Sequence, residues 1–172
     1  VVSTVPAPGA ANVATNTRIT ASFSEDMTPT SISGTSFTLV NTSLGQAVTG
    51  SVSYSVAART ATFTPTAPAL LAINSVFTAT ITTAATDLAG NALAGNTAVL
   101  PNAGNHVWTF TTGATADNAA PTVTGTSPQI GSVNVCLTRI VSVTFSEPMD
   151  VATLNATTFG VTDNGAPVAG TV

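Results

Sequence analysis

Residues 23–27 read Phe-Ser-Glu-Asp-Met, and residues 145–149 read Phe-Ser-Glu-Pro-Met. The two stretches lie 122 residues apart, and the same offset, with no gap, relates Pro6 to Pro128, Gly9 to Gly131, Asn12 to Asn134, Val13 to Val135 and Phe37 to Phe159. A period of this length indicates a repeated domain and not a short solenoid repeat. The sequence therefore predicts a complete module over residues 1–113, a short linker at 114–120, and the amino-terminal half of a second module over 121–172.

Around the repeated motif, apolar and polar residues alternate in short runs, a pattern typical of half-buried β-strands. Clusters of Gly, Pro, Asn and Asp separate these runs, which lie at 1–5, 18–23, 36–40, 48–56, 60–64, 75–83 and 106–112. About seven strands in roughly a hundred residues predict a two-sheet antiparallel β-sandwich of immunoglobulin-like type. The predicted fold is therefore all-β: tandem immunoglobulin-like sandwiches of about seven strands each, the second incomplete. The bulky inward side chains are expected to be Phe23, Phe63, Phe77, Trp108, Phe110 and, in the second module, Phe145.

The composition excludes several classes of function. Charged residues make up 6% of the chain, there are three cationic side chains, and the net charge is -4. Without a basic patch to neutralise phosphates, nucleic acid is not an expected partner. The apolar runs are too short for a transmembrane helix, so membrane insertion is not expected. A single cysteine, Cys136, cannot form an internal disulfide, and we expect it to be a buried or strand-end thiol.

The repeated motif places a carboxylate and a methionine just beyond the end of a strand. Glu25 and Glu147 each follow an inward Phe, where a carboxylate can accept hydrogen bonds from the backbone of the next turn. Met27 and Met149 would then pack beneath the loop as adaptable apolar side chains. The favoured interpretation is a structural clamp that fixes this loop.

Calcium binding is the alternative interpretation of the motif. Glu25 and Asp26 would be joined by Asp87 or Asn91 from another loop, and Asp117 is a further candidate ligand. Calcium takes six to eight oxygen ligands, commonly several of them carboxylates. Seven acidic residues in the whole chain, with no Asp-x-Asp-x-Asp pattern, make this site the weaker interpretation. Apart from this possible calcium ion, no cofactor is expected.

Two further features are interpreted as structural. Residues 87–91 read Asp-Leu-Ala-Gly-Asn, which is typical of a turn because Asp bonds the backbone two residues on and Gly tolerates positive φ. His106 is the only histidine, and no motif places an activated nucleophile beside it. The chain is therefore not expected to be an enzyme. We also expect a helical turn within each of two loops, 28–33 and 67–72.

Several motifs in order resemble one family. They are a Pro-x-x-Gly start, the Phe-Ser-Glu-x-Met motif, Ala-Thr-Phe-Thr-Pro at 61–65, Phe-Thr-Ala-Thr-Ile at 77–81, the 87–91 turn and Trp-Thr-Phe-Thr-Thr at 108–112. Together they resemble the bacterial Ig-like domain of S-layer proteins, adhesins and other secreted surface proteins. The resemblance implies a sandwich used as a spacer outside the cell, with no common active site. Phe77 stands where related domains often carry a tyrosine, so a tyrosine-corner hydrogen bond is not available there.

The function expected from these features is structural. The chain would be a spacer module of a bacterial extracellular surface or filament-forming protein, acting through self-association and tandem rods. A glycan- or ice-binding face is the alternative, since threonines alternate at 78–82 and 109–111, although β-propensity explains them more simply. The second module lacks counterparts of Phe63, Phe77 and Trp108. We therefore expect further Ig-like repeats in a longer protein, or strand complementation of 121–172 by another segment.

Overall fold

The computed structural model describes residues 1–66, 70–136, 138–147, 149–150 and 153–172. The chain forms two compact units, Val1–Asp117 and Asn118–Val172, called unit 1 and unit 2 below. Of the two expected helical turns, one is a single 3-10 turn at Pro29–Ser31. The other includes residues 67–69, which lie outside the described residues.

The described part of unit 1 folds into nine strands in two facing sheets. The first sheet has the order β1 (Ser3–Val5), β3 (Ile19–Ser22), β7 (Thr60–Pro65), β6 (Gly50–Ser55). The second has the order β2 (Ala10–Val13), β9 (His106–Thr112), β8 (Val76–Ile81), β4 (Phe37–Asn41), β5 (Gln46–Ala47). This architecture confirms the predicted all-β, immunoglobulin-like fold. It adds two strands that the alternation did not predict, β2 and β5, and β2 pairs with β9 in parallel.

The core lies between the two sheets and follows the predicted alternation. In β3 and just after it, Ile19, Ala21 and Phe23 are all buried. The ring of Phe37, on β4, lies 5.9 Å from both Phe63 of β7 and Trp108 of β9, measured between centroids. Each fully buried side chain of this size contributes about 1.5–3 kcal/mol of hydrophobic free energy, so the aromatic group anchors both sheets.

Further side chains from both sheets complete the core. Phe77 and Phe110 stack at 5.5 Å between β8 and β9, as neighbours in register. Val52 and Tyr54 of β6 pack against the core from the edge of the first sheet. Val56, the residue that follows β6, is 50% exposed.

Unit 2 contains two antiparallel strand pairs in its described residues. One pairs β10 (Val123–Ser127) with β11 (Ser142–Phe145), and the other pairs β12 (Val161–Asp163) with β13 (Ala166–Val168). The register Asp163↔Ala166 repeats Asn41↔Gln46 of unit 1, with a connecting loop two residues shorter.

The sequence repeat also preserves local backbone geometry. Gly9 and Gly131 have φ values of 75° and 78°, and Asn12 and Asn134 both have φ of 55°. These are left-handed conformations that Gly adopts freely and Asn tolerates better than most residues. The matching glycines and asparagines are therefore explained by the same turn in both units.

Candidate functional site

The two most distinctive motifs, at residues 23–27 and 87–91, extend into two loops at one end of unit 1, and these loops are hydrogen-bonded to each other. The loop after β3 contains residues 24–31, and the loop after β8 contains residues 85–91. Met27 and Asp87 form an isolated antiparallel bridge between them. The Thr28 amide donates to the Thr86 carbonyl at 2.9 Å, and the Thr28 hydroxyl donates to the Asp87 carbonyl at 2.6 Å. We call this pair of loops the paired-loop end.

Asp87 organises its own turn. Its Oδ1 accepts hydrogen bonds from the amides of Ala89 and Asn91, both at 2.8 Å, and its Oδ2 accepts one from the Asn91 side chain at 2.7 Å. Gly90 completes the turn with φ of 86°. The side-chain hydrogen bond from Asn91, followed by the backbone donors, holds the pKa of Asp87 below its ordinary value. The carboxylate therefore fixes the loop that carries it.

The loop after β3 is held by a group that the sequence did not suggest. The Met27 side chain is buried, and its amide donates to the hydroxyl of Tyr54 at 2.9 Å. Glu25 is exposed, and no hydrogen bond to its carboxylate occurs within the described residues. The clamp expected from Glu25 is thus provided by Tyr54, which reaches across from β6. In unit 2, Glu147 and Met149 are half-buried, and Pro148 lies outside the described residues.

Three of the calcium candidates, Glu25, Asp87 and Asn91, line one groove, whereas Asp26 and Asp117 do not line it. Asp26 is paired with Arg59, whose Nε donates to Asp26 Oδ1 at 2.7 Å. Glu25 and Asp87 line the same groove of about 300 Å³. Asp117 lies at the opposite end of the sandwich, where its amide donates to the Asn16 side chain. Among the described residues, no group of three or more His, Cys, Asp or Glu side chains is arranged to hold a metal ion.

We predict that calcium does not stabilise the chain. Asp87 already accepts three hydrogen bonds from its own turn and Asp26 pairs with Arg59, so a cation would have to displace these donors to gather six to eight oxygens. The melting temperature should be the same in chelator and in millimolar calcium. A rise with calcium that is absent with magnesium would contradict this prediction.

Removal of the Asn91 side chain should reduce the amount by which the ionised Asp87 carboxylate stabilises the folded state. Because the pKa of Asp87 is lower in the folded state than in the unfolded state, its contribution is present above the unfolded pKa and is lost as the pH falls through the folded pKa. Asn91→Ala should therefore lower the melting temperature at pH 7 and raise the Asp87 pKa, measured by carbon NMR titration. The melting difference from the original chain should shrink as the pH falls through the folded pKa of Asp87.

Leu88→Ala is the matched control for this experiment, since Leu88 lies in the same turn and is exposed. It should leave the Asp87 pKa unchanged. An unchanged pKa in Asn91→Ala as well would show that the side-chain hydrogen bond does not control this carboxylate.

Two other reactive side chains lie outside this site. His106 is half-buried beside Trp108, with ring centroids 5.6 Å apart, and burial lowers the pKa of the imidazole. Cys136 is exposed and lies between β10 and β11, away from the ends of both strands, so the expectation of a buried or strand-end thiol is wrong. A hydrogen bond with Thr138 lowers the pKa of the Cys136 thiol. Neither residue lies in the paired-loop end.

Comparison with protein families decides what kind of module this is. The family model described as a bacterial Ig-like domain matches residues 1–112 and again residues 117–172. The chain belongs to the bacterial Ig-like domain family. No curated protein sequence matches it, and no helix in the described part of this Ig-like chain is long and apolar enough to cross a membrane.

Solved structures with a similar fold include CopC from Methylosinus trichosporium OB3b, which is 13% identical with a TM-score of 0.49 over 69% of this Ig-like chain and 96% of CopC. Domains 1–6 of the surface layer protein SbsC are 17% identical, with a TM-score of 0.47 over 79% of this chain. The N-terminal part of the bacterial S-layer protein SbsC is also 17% identical, with a TM-score of 0.45 over 79%. The chain spans 17% and 29% of these two SbsC chains.

Proposed function

We propose that this chain is a structural spacer segment of a bacterial extracellular surface or filament-forming protein, acting through self-association and tandem Ig-like rods. The observation that carries the proposal is the pair of consecutive family matches, 1–112 and 117–172, with only residues 113–116 between them. Tandem modules joined by so short a connection are suited to spanning distance. We expect no catalytic activity.

The distribution of charge in unit 1 supports self-association. None of its nine strands contains Asp, Glu, Lys or Arg. The charged residues of this unit lie in the loops and flanking segments: Arg18, Glu25, Asp26, Arg59, Asp87 and Asp117. Burial of an unpaired charge is costly, so a sheet face without charges can approach another copy at little desolvation cost.

The outward face of the second sheet is the best candidate surface. It carries Thr and Val in cross-strand rows, one formed by Val40, Thr78 and Thr109 and another by Thr38, Thr80 and Val107. These rows run across β4, β8 and β9, the centre of the five-stranded sheet. We call this surface the Thr/Val face.

The oligomeric state at increasing concentration tests the proposal. The mass measured by light scattering should rise with protein concentration in the original chain. Thr109→Glu places a charge in the centre of the Thr/Val face and should keep the protein monomeric. Ser53→Glu, on the outward face of the other sheet, is the matched control and should still associate. A chain that remains monomeric at millimolar concentration would contradict self-association through this face.

Binding of a glycan or of ice is the second candidate function, and the same rows favour it. Neighbouring strands lie about 4.7–4.9 Å apart, so the Thr/Val face presents a regular array of methyl and hydroxyl groups. Glycan-array binding or inhibition of ice recrystallisation by the monomer, lost in Thr109→Glu and kept in Ser53→Glu, would favour this function over assembly.

A further inference from the structure

The turn between β12 and β13 holds the only Asn-Gly sequence of the chain, Asn164-Gly165. Asp163 pairs with Ala166, so Asn164 and Gly165 alone form the connection. Their φ values are 47° and 86°, and a two-residue connection with positive φ at both positions is a type I′ turn, for which Asn-Gly is a preferred sequence. The same pair is also chemically reactive, because a glycine amide that follows asparagine can attack the asparagine side chain with little steric hindrance.

The exposure of this turn is a property of the module. Asn164 and Gly165 are exposed, and so is the corresponding turn of unit 1, residues 42–45, which belongs to a complete two-sheet sandwich. Solvent therefore reaches both residues of the Asn164-Gly165 turn. The turn of unit 1 reads Thr-Ser-Leu-Gly, so it lacks the reactive pair and provides an internal comparison.

The main-chain amide of Gly165 is available as a nucleophile. Within the described residues it donates no hydrogen bond, and no other atom lies within 4 Å of the place that a Cβ would occupy at Gly165. Asn74 provides the contrast, since it is also exposed and has φ of 49°. The amide that follows Asn74, that of Ser75, donates to the Thr112 hydroxyl at 3.0 Å. Of these two left-handed asparagines, only Asn164 is therefore followed by an unoccupied amide.

We propose that Asn164 is a site of spontaneous covalent modification, which converts it to aspartyl and isoaspartyl forms with water as the co-reactant. The Gly165 nitrogen loses its proton to solvent and attacks Cγ of Asn164. The new C–N bond closes a succinimide ring, the bond from Cγ to Nδ2 breaks, and Nδ2 leaves as ammonia with a proton taken from solvent. Water then opens the ring at either of its two carbonyl groups, and nothing is oxidised or reduced.

The two products differ in their effect on the turn. Asp-Gly also favours a type I′ turn, so the aspartyl form keeps Asp163 paired with Ala166. The isoaspartyl form carries the main chain through the former side chain and lengthens it by a methylene group, so the connection no longer fits a two-residue turn. Both products lose the hydrogen bond that Asn164 Nδ2 donates to Asp163 Oδ1 at 3.1 Å. The isoaspartyl form therefore separates β12 from β13 at this end.

Incubation of the full chain in mildly alkaline buffer, followed by peptide mapping with mass spectrometry, tests the proposal. The peptide that contains Asn164 should gain the mass of an amide-to-acid conversion at least about tenfold faster than the peptide that contains Asn74. It should also accept a methyl group from an isoaspartyl methyltransferase. Because the reaction needs one chain, its rate should not change with protein concentration. Equal rates at the two asparagines, or no conversion at Asn164, would overturn the proposal.

Two variants of the same residue separate the reaction from its structural effect. Asn164→Gln would have to close a larger ring and should abolish the release of ammonia from this position; release at the original rate would overturn the mechanism. Asn164→Asp imitates the aspartyl product, so nuclear Overhauser contacts between Asp163 and Ala166 should persist in it. The same contacts should be lost in the isoaspartyl fraction after chromatographic separation. Their persistence in that fraction would overturn the proposed separation of β12 from β13.

Discussion

Phe37→Ala should lower the free energy of unfolding of unit 1 by about 3–5 kcal/mol, the range for truncating a buried Phe to Ala. Phe37 is fully buried, and its ring lies 5.9 Å from Phe63 in the facing sheet and from Trp108 in its own. The truncation therefore opens a cavity where the two sheets meet. Urea unfolding followed by Trp108 fluorescence measures the effect, because Trp108 is the only tryptophan and lies in unit 1.

Thr38→Ala is the matched control, since Thr38 is adjacent in β4 but faces outward. Its effect should stay within about 0.5 kcal/mol, as for most surface substitutions. A Phe37→Ala loss no larger than that of Thr38→Ala would contradict the packing described for this core.

The core could be predicted because the alternation of apolar and polar residues along a strand indicates which side chains are buried. Side chains in a strand point to opposite faces in turn, so Ile19, Ala21 and Phe23 could be assigned to one face from their spacing. The same reasoning missed β2, where Asn12 has a positive φ and the register with β9 is irregular. It also missed β5, because two residues are too few to show a period.

The paired-loop end could be predicted only in part. The Asp87 turn follows from local chemistry, since its hydrogen-bond partners lie two and four residues away. The contacts of Thr28 with Asp87 and of Met27 with Tyr54 join residues 59 and 27 positions apart. These contacts depend on the register of separate strands, which no local pattern contains.

Thr112→Val should lower the free energy of unfolding by about 1–3 kcal/mol, the cost of leaving a buried polar group without its partner. Thr112 is 2% exposed at the end of β9. Its hydroxyl donates to the Ala72 carbonyl at 2.6 Å and accepts from the Ser75 amide at 3.0 Å. Valine has nearly the same shape, so the change removes every hydrogen bond of this hydroxyl, including a longer one to the Ser75 carbonyl at 3.2 Å, while the packing stays almost unchanged.

Thr111→Val is the matched control, because Thr111 is the preceding residue of β9 and faces outward. Valine has a high β-propensity, so this change should alter stability by no more than about 0.5 kcal/mol. Thr112→Ser keeps the hydroxyl and should retain more stability than Thr112→Val, although it loses a methyl group. If Thr112→Ser were the less stable of the two, the methyl group would matter more than the hydrogen bonds. The connection from Ala72 to Ser75 would then be held by packing instead of by this hydroxyl.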